Sequence, residues 1–91
     1  MPTMNTGLVI AGAYAKQVRN VMAAQAKSAG LDVAAAIRGA AILNQKLLDE
    51  IIKRKIDKGD VIRIKIDYEV LNGEVQWKYE TLNIEVWKKA Q

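Results

Sequence analysis

The clearest pattern in the chain is an alternation of apolar and polar residues on both sides of Asn72-Gly73. Residues 60–71 and 74–88 alternate with the period of two that is typical of a half-buried β-strand. Asn-Gly suits a two-residue type I′ turn, because both central residues of that turn need a positive φ. The pattern therefore predicts a long β-hairpin over residues 60–88.

The turn fixes the register that we expect for the hairpin. The predicted cross-strand pairs are Val70–Val75, Tyr68–Trp77 and Ile66–Tyr79 on one face, and Asp67–Lys78 and Lys65–Glu80 on the other. The alternation slips by one residue near Glu80-Thr81, which predicts a β-bulge there. Beyond the bulge we expect Ile64 opposite Leu82, Ile62 opposite Ile84, and Trp87 on the polar face.

Helical periodicity covers the first part of the chain. Residues 13–29 have apolar residues at helical spacing, and Gly30 is a suitable stop. Asp32 is a suitable N-cap for a second helix that would run to about residue 56. The inward face that we expect for this helix is made of Val33, Ile37, Ala41, Leu48, Ile51 and Ile52, with Leu43 and Leu47 beside it.

Residues 7–12 are ambiguous between a buried strand and the first turns of a helix. We favour a strand, because a two-stranded hairpin is a marginal sheet and a third strand would support it. The fold class is then α+β, with two helices packed on a small antiparallel sheet dominated by the C-terminal hairpin. We expect a single domain over residues 1–91, with a helical half at about 13–56.

Composition removes several classes of function. The chain has no cysteine and no histidine, which excludes thiolate metal sites and every Ser-His or Cys-His nucleophile. The carboxylates lie beside lysines, as on a solvated surface, so we expect no catalytic residue, no metal, no cofactor and no small-molecule substrate. The longest apolar stretch, residues 7–15, is too short to span a bilayer, and residues 1–6 carry no basic residue, so we expect a cytoplasmic protein.

Charge is placed unevenly along the chain. The net charge is +4, and residues 1–59 hold nine Lys and Arg against four Asp and Glu, whereas residues 60–91 hold five against six. Basic residues that cluster on one part of a fold can neutralise phosphates without reading sequence. The candidate nucleic-acid contacts are Lys16, Arg19, Arg38, Lys46, Lys53, Arg54, Lys55 and Lys58. The alternative is that these residues form only a solvated surface.

Two further residues are candidates for an interface. Trp87, on the polar face, suits a partner anchor, a base-stacking residue or simple packing on a neighbour. Asn44 lies on the apolar face of the second helix, where it could fix the register of self-association or bond to a backbone group in the core. For the other hairpin aromatics, Tyr68, Trp77 and Tyr79, core packing is the expectation.

Two family resemblances bear on function. The segments Asn5-Thr6-Gly7-Leu8-Val9-Ile10-Ala11-Gly12-Ala13-Tyr14-Ala15 and Lys58-Gly59-Asp60-Val61-Ile62-Arg63-Ile64 resemble a family of small crenarchaeal proteins of unknown function, which implies an archaeal, thermophilic origin. The chain also resembles the Alba family of dimeric chromatin and RNA-binding proteins, through Leu8-Val9-Ile10, Ile37-Arg38-Gly39-Ala40 and the strand at 82–88. That likeness implies nucleic-acid contacts at Arg38, Lys53 and Arg54.

The sequence thus predicts a non-enzymatic, homodimeric, basic protein that binds DNA or RNA, or associates with ribonucleoprotein such as the ribosome, through phosphate contacts. The alternative is a homo-oligomeric protein–protein adaptor with no role at nucleic acid. Salt separates the two, because phosphate binding weakens steeply as salt rises and an apolar interface does not.

Overall fold

The computed structural model describes residues 1–88. Its elements are β1 (Thr3–Asn5), β2 (Val9–Ile10), a short 3₁₀ helix (Ala11–Ala13), α1 (Tyr14–Gln25), α2 (Val33–Lys53), β3 (Val61–Leu71) and β4 (Glu74–Trp87). Strand β3 is central; it pairs with β4 along one edge, and with β1 and then β2 along the other. All pairs are antiparallel and both helices pack on one face of the sheet, which confirms the α+β fold.

The N-terminal segment contributes two short strands. Residues 3–5 pair with β3 at residues 65–67. Gly7 then adopts a φ of +65° and the chain returns to β3 at Val9–Ile10, before the 3₁₀ helix begins at Ala11. The buried Thr6 closes the gap between these strands, because its Oγ1 accepts a 3.0 Å hydrogen bond from the Ile64 N–H.

The tip of the hairpin follows the predicted turn chemistry. Asn72 and Gly73 have φ angles of 52° and 76°, as a type I′ turn requires. The predicted pairs Val70–Val75, Tyr68–Trp77 and Asp67–Lys78 are confirmed. The rings of Tyr68 and Trp77 meet edge to face with centroids 5.3 Å apart, on the face that the helices cover.

The predicted bulge is present, but its predicted size is wrong. Asp67 pairs with Lys78 and Lys65 pairs with Asn83, so residues 79–82 oppose Ile66 alone. The predicted pairs Lys65–Glu80, Ile66–Tyr79, Ile64–Leu82 and Ile62–Ile84 are therefore wrong; the ladder has Ile64–Ile84 and Ile62–Val86. The Thr81 Oγ1 supports the wide bulge, since it accepts from the Asp67 N–H at 2.9 Å and donates to the Lys78 carbonyl at 2.7 Å.

Helix α2 packs on the sheet through a different face from the one we expected. Its buried residues are Ala35, Ala36, Gly39, Ala40, Leu43 and Leu47. The supposedly inward Val33, Leu48 and Ile52 are 58%, 46% and 66% exposed. The reason is close approach: small residues let the helix backbone come down to β4, where the Trp77 indole N–H donates to the Gly39 carbonyl at 2.8 Å.

The ends of α2 are well defined. The Asp32 carboxylate accepts from the Ala35 N–H at 2.8 Å, which confirms the predicted N-cap. The helix ends at Lys53, three residues earlier than expected. There the backbone N–H of Lys55 donates to the Ile52 carbonyl, and the backbone N–H of Ile56 donates to the Ile51 carbonyl. These are the two hydrogen bonds of a Schellman motif. Lys55 takes the left-handed position of that motif, with a φ of 56°.

The contact at Gly39 can be tested by adding one methyl group. A Cβ at this position would lie 2.7 Å from Cγ2 and 2.8 Å from Cβ of Val75. Overpacking should outweigh the gain in helix propensity, so we expect Gly39→Ala to lower the free energy of unfolding by about 1–2 kcal/mol. Denaturant unfolding measures this loss.

Gly59→Ala is the matched control, because nothing lies within 4 Å of a Cβ built there. It should change stability by no more than about 0.5 kcal/mol. A Gly39→Ala protein as stable as the wild type would contradict the close packing of α2 on β4.

Candidate nucleic-acid interface

The face of the sheet that the helices leave uncovered carries an apolar and aromatic row at one end. The register places Ile10 beside Val61, and Val61 beside Trp87, so the three side chains cross the sheet from β2 to β4. Ile10 is 56% exposed and Trp87 46% exposed. We call these three residues the outer-face patch; Trp87 lies on this face, as the sequence predicted.

An ion pair supports the Trp87 ring. The Arg63 Nε donates to the Glu85 Oε1 at 2.7 Å, and these two residues form the next cross-strand pair along the sheet. The Arg63 guanidinium carbon lies 5.9 Å from the centroid of the Trp87 ring, in range for a cation–π contact. Because Glu85 already neutralises Arg63, the guanidinium holds the indole in place and is a weak candidate for a phosphate contact.

The turn between α2 and β3 brings basic residues to the same end of the sheet. We call Lys53, Arg54, Lys55 and Lys58 the basic turn; all four are exposed. The Gly12 N–H donates to the Lys58 carbonyl at 2.9 Å, which ties this turn to the segment that follows Ile10. Arg54 is held by Glu50, one helical turn earlier, at 3.0 Å.

Lys88, the residue after Trp87, contacts the basic turn from the end of β4. Its Nζ donates to the Lys55 carbonyl at 3.0 Å and to the Asp60 Oδ2 at 2.7 Å. Asp60 is only 2% exposed and also accepts from the Asp57 N–H. The hydrogen bond that Lys88 donates to Asp60, together with the negative charge of Asp60, raises the pKa of Lys88. The basic turn is therefore hydrogen-bonded to the residue that follows Trp87 and to the segment that follows Ile10.

The other four basic candidates lie on the helical layer. Arg38 donates to Glu74 at 2.6 Å, and this bond raises the pKa of its guanidinium. The Lys46 Nζ lies 5.9 Å from the ring centroid of Tyr79, at the flank of α2 that faces β4. Lys16 and Arg19 are exposed on α1. The structure thus brings four of the eight predicted residues together and places the other four elsewhere.

Asn44 lies between the two helices. Its Nδ2 donates to the Ala15 carbonyl at 3.1 Å, the backbone bond that we had considered. Its buried Oδ1 has no hydrogen-bond partner within residues 1–88. Asn44 is thus remote from the outer-face patch and belongs to a groove between α1 and α2.

Two other classes of site are absent from the part of the chain that the structure describes. It contains no group of three or more Asp and Glu side chains placed to hold a metal ion. Neither of its helices has the length and apolar character needed to cross a bilayer.

Comparison with known proteins places the chain in a family. The family described as ThermoDBP-related, archaea, matches residues 4–76. The chain therefore belongs to the ThermoDBP-related family of archaea, which confirms the resemblance to a small archaeal family; the Alba likeness stays a prediction. No curated protein matches the chain.

Two solved structures are similar over nearly the whole chain. The structure of apeThermo-DBP-RP2 bound to ssDNA dT10 has 41% sequence identity and a TM-score of 0.90, covering 100% of this chain and 44% of that one. The structure of pfuThermo-DBP-RP1 (crystal form II) has 30% identity and a TM-score of 0.90, covering 96% of this chain and 58% of that one. The chain thus spans about half the length of each.

Three residues of this region escaped the sequence analysis. Val61 could have been found from the sequence, because it is an apolar residue on the strand face that otherwise carries Arg63 and Lys65. Ile10 could not have been found, because residues 7–12 were ambiguous between strand and helix. Its exposure also depends on the edge of β3 with which it pairs. Lys88 could not have been found either, because its contact with Asp60 joins residues 28 positions apart.

The bond between Lys88 and Asp60 predicts a pH-dependent effect on stability. The pKa of Lys88 is raised in the folded protein, so its contribution is present below the unfolded pKa of about 10.4 and is lost as pH rises through the folded value. We expect Lys88→Met to lower the melting temperature at pH 7, and this difference from wild type to shrink above about pH 10.5.

Thermal unfolding followed by circular dichroism at several pH values measures this difference. Lys58→Met, at another exposed lysine of the same region, is the control and should have little effect at any pH. A Lys88→Met difference that is the same at neutral and at high pH would contradict an ionic role for Lys88.

Proposed function

We propose that this protein binds single-stranded nucleic acid on the outer face of its sheet, without catalysis and without strong sequence preference. The single observation that carries the proposal is an exposed tryptophan within an apolar patch, bordered by a basic turn. Exposed aromatic rings beside lysines are the combination that single-strand-binding surfaces use, because every base has a face that can stack.

Each part of the surface has a distinct role in this proposal. Trp87 offers its ring to a base, while Ile10 and Val61 provide apolar contact for a neighbouring sugar or base. Lys53, Lys55 and Lys58 neutralise the phosphates that follow, and Arg54 contributes less because Glu50 already holds it. A duplex hides the base faces in its stack, so the surface favours single strands.

The relatives support the same class of ligand. The apeThermo-DBP-RP2 structure contains ssDNA dT10, and its fold matches this chain at a TM-score of 0.90. The proposed contacts on the outer face do not distinguish deoxyribose from ribose, so the proposal includes single-stranded RNA as well as single-stranded DNA.

Removal of the Trp87 ring is the first test. Base–aromatic stacking is worth about 1–3 kcal/mol per base, so we expect Trp87→Ala to weaken binding of a labelled thymidine oligonucleotide by about 5- to 150-fold. Fluorescence anisotropy titrations of single-stranded DNA, single-stranded RNA and duplex DNA give the affinities and the preferred ligand.

Tyr79→Ala is the matched control for this experiment. Tyr79 is 40% exposed, close to the exposure of Trp87, but it lies beside Lys46 and α2. Its removal should leave the affinity unchanged. Equal losses in the two variants, or no binding of single strands by the wild type at low salt, would overturn the proposal.

Salt dependence tests the basic turn. For single strands the logarithm of the affinity falls with the logarithm of salt concentration by about 0.7 per phosphate neutralised. We expect Lys53→Gln, Lys55→Gln and Lys58→Gln together to reduce this slope by about 2. The control carries Lys16→Gln and Lys46→Gln on the helical layer, and its slope should match the wild type. A reduced slope in the control alone would indicate that the phosphates contact the helical layer and not the basic turn.

A further inference from the structure

A row of polar side chains crosses the same face of the sheet as the outer-face patch. The register places Asn5 of β1 opposite Lys65 of β3, and Lys65 opposite Asn83 of β4. All three residues are exposed, and side chains directly opposite each other on neighbouring strands lie about 5 Å apart at Cβ. We call these three residues the amide–lysine row.

The row is rich in hydrogen-bond donors that the rest of the described chain does not use. Within residues 1–88 the Lys65 ammonium has no ion-pair or hydrogen-bond partner, and neither has the side-chain amide of Asn83. The Asn5 Oδ1 accepts from the Gly7 N–H at 2.8 Å, which leaves the Asn5 side-chain N–H₂ as a donor. The row therefore presents an ammonium between two amides, with more donors than acceptors.

The other cations on this face of the hairpin are already neutralised. Between the row and the outer-face patch lies the ion pair of Arg63 with Glu85, at 2.6 Å. On the far side of the row, Lys78 binds Glu69 at 3.0 Å, and Asp67 adds a negative charge. Among residues 61–87, the lysine of the row is thus the one cation without an acidic partner, and the surface beyond it repels phosphates.

The donors of the row fit one nucleobase edge better than the others. Guanine offers two neighbouring acceptors, O6 and N7, and lysine commonly donates to both. Adenine places an N–H₂ donor beside its N7, cytosine offers an N–H₂ donor, and thymine has one acceptor with a methyl group beside it. A lysine ammonium has no acceptor, so each of these three bases forms fewer hydrogen bonds to it than guanine does.

We propose that the amide–lysine row binds a guanine base of the single strand that stacks on Trp87; this inference rests on the proposed function. Lys65 donates to O6 and N7, and the Asn83 amide donates to the same edge from β4. Trp87 and Asn83 are four residues apart on β4, about 13 Å, so another base of the same strand stacks on the indole. The row thus adds a modest preference at one nucleotide to binding that otherwise tolerates any sequence.

Single-base substitution in a thymidine decamer tests the guanine contact by fluorescence anisotropy. Because the row is exposed to solvent, we expect one central deoxyguanosine to tighten binding by about 5-fold, the low end for base-specific hydrogen bonds. Deoxyinosine keeps O6 and N7 and should retain this gain. A 7-deaza analogue of deoxyguanosine, in which a C–H replaces N7, should lose most of it, and deoxyadenosine should bind as thymidine does.

Lys65→Met tests the row in the protein. Methionine keeps a long unbranched side chain without the ammonium, so the ratio of the affinities for the guanine-containing decamer and dT10 should fall to about 1. Lys78→Met is the matched control, since Lys78 lies on the same face but is paired with Glu69. Its ratio should equal that of the wild type. Asn83→Ala should lower the ratio in part, because it removes one donor.

The ratio separates a base contact from a phosphate contact. If Lys65 only neutralised a phosphate, Lys65→Met would weaken both decamers equally and leave the ratio unchanged. That result, or equal affinities of the wild type for the two decamers, would overturn the inference and leave single-strand binding intact. Trp87→Ala should weaken both decamers and keep the ratio. A wild type that binds neither decamer would overturn the inference together with the proposed function.

Discussion

The architecture depends on how closely α2 can approach β4. At Gly39 there is no side chain between the helix backbone and Val75, and the Trp77 indole reaches the Gly39 carbonyl across the gap. This contact decides which side of α2 is buried. Leu43 and Leu47 share the buried side with these small residues, whereas Val33, Leu48 and Ile52 are left exposed on the other sides of the helix. The end of α2 brings the basic turn to the edge of the sheet.

The local chemistry of the chain predicted much of this fold. The Asn-Gly turn specified the hairpin tip, and Asp32 specified the start of α2, because both signals act within a few residues. The two sides of α2 were harder to assign: both are apolar, and large residues suggest a core face only where no close contact demands small ones. The bulge was recognised from the shift in alternation, but its size depends on the Thr81 hydroxyl bonds, which no periodicity reveals.

The candidate interface, like the fold, could be predicted only in part from the sequence. Trp87 and the basic turn were found from the sequence because exposure and charge follow from position in a strand or at a helix end. The contacts that bring them together were not found, since they pass through Lys88 and the buried Asp60, which lie 28 positions apart in the sequence. Lys55 adds a cost of its own: a left-handed backbone conformation is unfavourable for lysine, and at the end of a helix glycine would be the more stable choice. A strained basic residue at the border of an exposed aromatic patch fits the tendency of functional sites to retain such strain.

The bulge in β4 has a consequence for how this chain can change in length. In the bulge, four residues of β4 lie opposite one residue of β3. The surplus of three residues is an odd number, so every later side chain of β4 points to the opposite face from the one that regular alternation would give it. Loss or gain of a single residue at positions 79–82 would send Trp87 into the helical layer and Val86 into solvent. Changes of two residues would leave both where they are. We therefore expect family members of different length in this strand to differ by even numbers here, wherever the exposed aromatic is retained.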